Sequence, residues 1–182
     1  LGGDEWMRTQ YGNNNAYSTA ADNEWNWFRW GEWQSRDERW RMHDFVSHMI
    51  QFRLDRTYAF SPETYGGGMP ISWKSPTNGD PDWGSRQLMV RWTDDGTPNQ
   101  AWSGKPGLVM LMNMERFDVT YTLPSGSWAR VVDTQQYFDG DEWLAGEGRP
   151  LRETANFDDA GTGVSSSYTA PSTTIVLLEE SR

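Results

Sequence analysis

The hydrophobic pattern of this sequence changes its period near residue 60, and that change constrains the fold more than any other feature. Before it, Met42, Phe45, Val46 and Met49 are three or four residues apart, the spacing of one face of a helix. After it, apolar residues alternate with polar ones or form short continuous runs between turn residues, which is typical of β-strands. The sequence therefore predicts one helix followed by a mainly β region.

The helix is predicted over residues 37 to 54. Residues 35 to 38 read S-x-x-E, a pattern in which the serine caps the first turn and the glutamate bonds back to the cap. Arg41 and Asp44 lie on the polar side. The apolar side needs a covering surface, either the β domain or a second copy of the chain. The side chains that we expect to be buried there are Phe45, Val46, Met49 and Ile50.

The remainder of the chain is expected to form short antiparallel strands. Residues 87 to 93 alternate, and residues 107 to 114 are apolar on both faces, as in a central strand. Residues 117 to 132 resemble a hairpin around Pro124, with Phe117, Val119, Tyr121 and Leu123 facing inward. Two more runs, 165 to 169 and 174 to 179, flank a Pro-Ser turn. Strands at this spacing without helices between them predict an antiparallel β-sandwich of Greek-key type.

Aromatic residues must supply much of the core. The chain has 182 residues and a mean hydropathy of −0.83, but 12 of its residues are Trp and 14% are aromatic. Each enclosed aromatic side chain buries about 150–250 Å². A compact domain is therefore expected, and disorder is not.

Charge and composition exclude several partners. The net charge of −10 disfavours nucleic acid, whose binders concentrate Lys and Arg on one face. No apolar run approaches the roughly 18 residues of a membrane span, so no membrane partner is expected. The absence of Cys excludes disulfides and thiol chemistry, and it fits a reducing, cytoplasmic setting.

The residue types that could carry catalysis or bind metal do not form a site in this sequence. His43 and His48 are five residues apart, which is not the i, i+4 spacing of a helical zinc pair. Residues 139 to 142 supply only the start of a calcium loop. The carboxylate pairs at 4–5, 94–95 and 158–159 are interpreted as solvated turn acids. No catalytic residue, metal or cofactor is predicted.

Residues 1 to 34 form an irregular stretch that is rich in Trp, Asn and Gly. Such mixtures suit carbohydrate, because indole faces cover the C–H faces of a sugar ring while amides and carboxylates bond its hydroxyls. The competing interpretation is that the indoles belong to the core. We expect this of at least half of the following: Trp25, Trp27, Trp30 and Trp33.

Several segments together resemble the isoamylase-type and glycogen-debranching enzymes of the alpha-amylase superfamily. In that family the first part of the match follows the last barrel strand, then comes the last barrel helix, and a β-sandwich ends the chain. The resemblance covers nearly the whole sequence. Its segments are residues 1–10, 13–17, 22–27, 41–53, 71–73, 82–83, 85–86, 111–114, 121–124 and 128–134.

The resemblance implies two parts: the tail of a catalytic barrel over residues 1–60 and a C-terminal sandwich over 61–182. It places the catalytic nucleophile and acid upstream of Leu1, so that this chain alone would be inactive. The partner in the full enzyme would be an α-glucan such as glycogen, amylopectin or maltodextrin. The residues expected near the glucan are Asn14, Asn15, Tyr17, Asp22, Asn23 and Trp27.

Three functions stay open on the sequence. The first is the non-catalytic C-terminal part of an α-1,6-glucosidase of glycogen or starch metabolism, in which the sandwich supports the barrel and the cleft wall. The second is a stand-alone carbohydrate-binding or structural sandwich module. The third is the same part of a glucan-transferring or branching enzyme. Self-association through the helix at 37–54 is a further expectation.

Overall fold

The structure is a computed structural model, and it describes residues 2–13, 22–34, 36–62, 67–135 and 163–181. These residues divide into two compact units, one ending at Ile50 and the other beginning at Gln51. Ser35, the expected helix cap, lies outside the described residues. Among the described residues, no helix is both long enough and apolar enough to cross a bilayer.

The described residues of the first unit that precede the predicted helix include the 3-10 turns Asp4–Trp6 and Glu32–Gln34. Helix α1 then runs over Asp37–Asp55, within one residue of the expected range. The side chain of Trp6 is buried in this unit.

The buried face of α1 differs from the expected one. Ile50 is exposed, whereas Arg41, which we placed on the polar side, is buried. Phe52 is also buried and lies three turns beyond Arg41 on the same helix face. The expectation that Ile50 is buried is therefore wrong within this chain. The 3.6-residue period of the apolar positions predicted the helix correctly. It did not predict the burial of Arg41, because the aliphatic part of an arginine side chain can be buried at a position that hydropathy assigns to the surface.

The second unit is an antiparallel β-sandwich, which confirms the predicted fold class. A six-stranded sheet has the strand order β1-β2-β3-β8-β5-β6, and a two-stranded sheet pairs β4 with β7. A short helix, α2, precedes the strands at Thr57–Phe60. The strands are β1 Ile71–Lys74, β2 Gln87–Trp92, β3 Leu108–Asn113, β4 Val119–Thr122, β5 Trp128–Asp133, β6 Gly163–Val164, β7 Ser167–Ala170 and β8 Thr174–Glu180.

The core lies between the two sheets. The two-stranded sheet contributes Val119, Tyr121 and Ala170, and these pack with alternate residues of the central strands of the large sheet. Because side chains alternate between the two faces of a strand, Asp118, Thr120 and Thr122 are exposed, as expected. The large sheet contributes Met89, Val109, Leu111, Trp128, Val176 and Leu178.

The predicted hairpin at residues 117–132 is wrong. Strand β4 pairs with β7 and strand β5 pairs with β8, so the turn after Pro124 carries the chain from one sheet to the other. The connection from β7 to β8 makes the same crossing. The predicted alternation of buried and exposed residues within β4 is confirmed. Such alternation identifies the buried face of a strand, but it does not identify the strand with which it pairs. Phe117, expected to face inward, precedes β4 and is exposed.

Three polar contacts, one buried and two partly buried, join the two sheets. The Tyr121 hydroxyl donates to the Met112 carbonyl oxygen at 2.8 Å, and the Tyr168 hydroxyl donates to Asp133 Oδ2 at 2.8 Å. Asn113 Nδ2 donates to the Ala170 carbonyl oxygen at 3.1 Å. Burial raises the pKa of both tyrosines to about 12 from the ordinary 10.0, so both phenols keep the protons they donate at neutral pH.

The other face of the large sheet carries the end of α1 and helix α2. The Arg56 guanidinium makes a bidentate contact with the Glu179 carboxylate, with Nη2–Oε2 at 2.6 Å, and it stacks over the Phe52 ring at 3.8 Å. Phe60 meets Trp92 edge-on, with ring centroids 5.3 Å apart. A charged contact and an aromatic contact thus fasten these helical residues to β8 and β2.

Replacing Val119 by Asp tests the assignment of the inner face of β4. An unpaired carboxylate in this core costs several kcal/mol, against a typical total stability of about 5–15 kcal/mol. We expect Val119→Asp to unfold the second unit or to lower its thermal midpoint strongly. The measurement is a thermal melt followed by circular dichroism.

The control is Thr122→Asp, which places the same carboxylate on the exposed side of the same strand. It should shift the midpoint by a few degrees at most, because surface substitutions change stability by about 0.5 kcal/mol or less. Equal midpoints for the two variants would show that the faces of β4 are assigned incorrectly.

Candidate functional site

The predicted sugar-contacting residues fall only partly within the described structure. Asn14, Asn15 and Tyr17 lie outside the described residues. Asp22, Asn23 and Trp27 belong to a loop at residues 22–30 of the first unit, which we call the Trp27 loop. This loop is therefore the candidate site.

Trp27 is held at the surface by Asp22. The indole Nε1 donates to Asp22 Oδ1 at 2.7 Å, while the side chain remains 55% exposed. The bond uses the polar edge of the ring and leaves much of its apolar surface in water. This is the arrangement that a sugar-stacking side chain requires.

Asn23 shapes the turn that presents this indole. Its Oδ1 accepts a hydrogen bond from the backbone N–H of Trp25 at 3.1 Å. Its carbonyl oxygen accepts from the backbone N–H groups of Asn26 and Trp27 at 3.0 and 3.2 Å. Asn23 is thus placed beside Trp27, but its Oδ1 supports the loop rather than pointing to an incoming ligand.

Asn26 fastens the Trp27 loop to the beginning of the unit. Its Oδ1 accepts from Gln10 Nε2 at 3.0 Å and from Asn13 Nδ2 at 3.2 Å. Its carbonyl oxygen accepts from Arg8 Nη2 at 2.7 Å. Sequence analysis missed this residue, because the sequence does not distinguish an asparagine that holds a loop together from one that contacts a ligand.

Aromatic contacts connect the same two segments. Phe28 meets Trp6 edge-on at 5.7 Å and Trp30 at 4.6 Å between ring centroids. The Arg8 guanidinium lies over the Phe28 ring at 5.9 Å. Gly3 has φ 102°, and a Cβ there would lie 2.6 Å from Arg8 Cδ, so this position requires glycine.

The indoles of the Trp27 loop are surface residues. Trp25 is 53% exposed and Trp30 is 80% exposed, so three of the four indoles that we assigned in part to the core are at the surface. The side chain of Trp33 is not described. That expectation is therefore wrong, and the aromatic side chain that is buried among the described residues of this unit is Trp6. Tyr11 adds another exposed ring to the unit.

Carboxylates of the described acidic pairs accept hydrogen bonds from nearby backbone N–H groups. Glu5 Oε2 accepts from the backbone N–H of Gly3 at 2.8 Å. Asp94 accepts from Gly96 and Gly104 N–H groups, and a hydrogen bond from Thr97 lowers the pKa of Asp95. The acids at 139–142 and 158–159 lie outside the described residues.

The two histidines of α1 do not come together as metal ligands in the described structure. The His43 ring stacks on Trp40, with centroids 6.0 Å apart. No cluster of three or more His, Asp or Glu side chains that could hold a metal ion occurs within the described part of the chain.

Sequence comparison finds relatives of one kind. The chain is 30% identical over 147 residues to an isoamylase of Pseudomonas amyloderamosa, and the match covers 76% of this chain and 18% of that protein. It is also 30% identical over 138 residues to the chloroplastic isoamylase SU1 of Zea mays, covering 72% of this chain and 16% of that protein. The chain belongs to the isoamylase-type enzymes of the alpha-amylase superfamily and corresponds to the C-terminal part of such an enzyme.

Structure comparison agrees on the fold. The pullulanase from Bacillus acidopullulyticus superposes with a TM-score of 0.64 at 21% identity, over 99% of this chain and 18% of that one. No family model matches the sequence. This isoamylase-type chain spans less than a fifth of the length of the curated relatives it matches, which are covered to 18% and 16%.

Removing the Asn26 side chain tests whether its hydrogen bonds to Gln10 and Asn13 hold the Trp27 loop in place. Asn26→Ala deletes two hydrogen bonds worth about 1 kcal/mol each, so local opening of residues 22–30 should become about 5–30 times more frequent. Amide hydrogen exchange resolved to that segment measures the change.

Arg29→Ala is the matched control, because it breaks an exposed ion pair with Glu24 (3.4 Å) within the same loop. Exposed pairs contribute little, so exchange should change less than about fivefold. Unchanged exchange in Asn26→Ala would mean that Asn26 does not hold the loop.

Proposed function

We propose that this chain is the non-catalytic C-terminal part of a glucan-debranching α-1,6-glucosidase. The observation that carries the proposal is the 30% identity to isoamylase over 147 residues. In the whole enzyme, the sandwich would support the catalytic barrel and the Trp27 loop would form part of the cleft wall. The glucan partner would be glycogen, amylopectin or maltodextrin.

The chemistry of the Trp27 loop supports glucan as the ligand. Glucose rings have apolar C–H faces that stack on indole, and hydroxyl edges that bond to amides and carboxylates. The exposed Trp27 indole and the Asp22 carboxylate bonded to it supply one group of each kind. Asn14, Asn15, Tyr17 and Asn23 are proposed as further glucan neighbours.

The proposal assigns residues 1–60 to the tail of the barrel and residues 61–182 to the sandwich. Helix α1, Asp37–Asp55, would then be the last helix of the barrel. Its exposed Ile50 and Leu54 would meet the barrel in the full enzyme, or a second copy of the chain when the barrel is absent. Self-association through this helix is therefore part of the proposal.

A stand-alone carbohydrate-binding module is the second candidate. The observation in its favour is the exposure of Trp25, Trp27, Trp30 and Tyr11 within one unit. A binding module would hold glucan without help, whereas a cleft wall has lost the opposite side of its site.

In either case the lack of Cys is compatible with the reducing cytoplasm as the location.

Catalysis by the chain alone tests the non-catalytic assignment. A complete (β/α)₈ barrel takes at least about 200 residues, more than the 182 available, and no paired carboxylates across a cleft are proposed. We expect the purified chain to release no reducing sugar from pullulan or glycogen above a buffer control. Release that survives repeated purification would contradict the proposal.

Maltoheptaose titration separates the two candidates. A cleft wall without its opposite side should bind with a Kd of about 1 mM or weaker, and Trp27→Ala should weaken this by about tenfold, the equivalent of one lost stacking contact. Heteronuclear NMR titration of the indole N–H signals can measure affinities in this range.

The control is Phe117→Ala, which removes an exposed aromatic ring of the second unit. Its affinity for maltoheptaose should equal that of the parent chain. A submillimolar Kd that depends on Trp27 would support the stand-alone module and overturn the cleft-wall assignment. Binding that is unaffected by Trp27→Ala would refute the role of the loop in both.

A further inference from the structure

The sandwich displays a pair of exposed indoles that the proposed function does not use. Trp73 lies on the edge strand β1, and Trp83 lies in the connection between β1 and β2. Their ring centroids are 6.0 Å apart with the planes inclined at 56°, and the side chains are 45% and 71% exposed. Two neighbouring tryptophans in water are unusual on a folded surface, and such patches mark binding sites.

We propose that Trp73 and Trp83 form a second α-glucan contact, located on the β-sandwich. The choice of α-glucan as the ligand class rests on the proposed function; the location rests on the indole pair itself. The contact would hold a glucan chain at a site additional to the Trp27 loop.

The segment that carries Trp83 is held by its own hydrogen bonds. Asp82 Oδ1 accepts from the Gly84 N–H at 2.9 Å, and the Asp82 carbonyl oxygen accepts from the Ser85 N–H at 3.1 Å. These bonds close a turn directly at Trp83. The exposure of this indole is therefore a feature of an ordered turn, and little ordering is needed when a ligand binds.

The first half of the same connection is fixed as well. Ser75 and Gly79 exchange two bonds, from Ser75 N–H to the Gly79 carbonyl oxygen and from Gly79 N–H to Ser75 Oγ, each 3.1 Å long. Asn78 Oδ1 accepts from Arg91 Nη1 at 3.1 Å, which ties the loop to β2. The pair of rings is thus presented by a rigid scaffold.

Trp73 is fixed by its strand. It lies opposite Val90 in the β1–β2 register, and Val90 is buried. Strand β1 is the edge of the six-stranded sheet, and the side chain of Trp73 is 45% exposed there. Its ring centroid lies 6.0 Å from that of Trp83 in the hydrogen-bonded turn.

The geometry and the polar surroundings favour an α-linked glucan. Successive rings of an α-linked chain are inclined to each other because the chain curves, and two indoles inclined at 56° offer an angled surface rather than a flat one. The connecting loop carries the exposed Thr77, Asp80 and Asp82, whose oxygens can bond to sugar hydroxyls. The acidic residues disfavour a phosphate-bearing ligand.

Affinity electrophoresis of the 182-residue chain in gels that contain glycogen tests the proposal. Trp83→Ala should weaken the apparent affinity for glycogen by about tenfold, one lost stacking contact, and Phe117→Ala should match the parent. The double variant Trp27→Ala/Trp83→Ala should migrate as in a glycogen-free gel. Thermal melts establish that each variant is folded, and Trp83→Phe, which keeps an aromatic face, should recover part of the retardation.

The outcomes separate this inference from the proposed function. If Trp83→Ala migrates like the parent while Trp27→Ala loses retardation, the second contact does not exist and the Trp27 loop stands. If Trp83→Ala loses retardation while Trp27→Ala does not, the second contact stands and the role of the loop fails. If light scattering shows a dimer that Trp83→Ala dissociates without a change in glycogen affinity, the pair is a contact between copies and the inference is overturned.

Discussion

The second unit depends on the closure of a two-stranded sheet over a six-stranded one. Val119 and Tyr121 are buried because β4 crosses to the opposite layer instead of pairing with β5. This burial removes apolar surface from water on both layers at once, which is the main favourable term in folding. The partly buried hydrogen bonds from Tyr121 to Met112 and from Tyr168 to Asp133 fix how the layers are aligned.

The first unit is organised by a different interaction. In its described residues before α1 there is little regular structure, and hydrogen bonds of Asn26 with Arg8, Gln10 and Asn13 hold these residues together. Such a loop can expose Trp27 only because its backbone is fixed elsewhere. In the second unit, a hydrogen-bonded turn likewise holds the exposed Trp83. Each unit thus has an exposed indole, Trp27 or Trp83, that is carried by a hydrogen-bonded loop.

Both units belong to a chain that is related to the isoamylase-type enzymes. The relatives are about six times longer than the part that this chain matches, being covered to 18% and 16%. Under the function proposed above, this chain would contribute to glucan processing without supplying the reacting carboxylates, by shaping a wall and by holding substrate near it. The exposed indoles of the two units are the groups proposed for that role.

The sequence by itself determined the period of each segment. It placed α1 within one residue, identified β3 as a central strand and assigned the inward side of β4 correctly, because these depend on side-chain spacing along one element. The family resemblance, carried by motifs spread along the chain, was likewise visible in the sequence. For the site, it pointed to the loop that contains Asp22 and Trp27.

Only the tertiary structure decided which elements meet. Strands β4 and β5 look like a hairpin in sequence, but hydrogen bonding to β7 and β8 separates them into different sheets. The burial of Arg41 and the exposure of Ile50 depend on what α1 packs against, and not on its period. The hydrogen bonds of Asn26 join residues that are more than 10 positions apart in the sequence, and the Trp73–Trp83 contact joins residues 10 positions apart. Such contacts leave no periodic trace, because spacing along one element does not specify its neighbours in space.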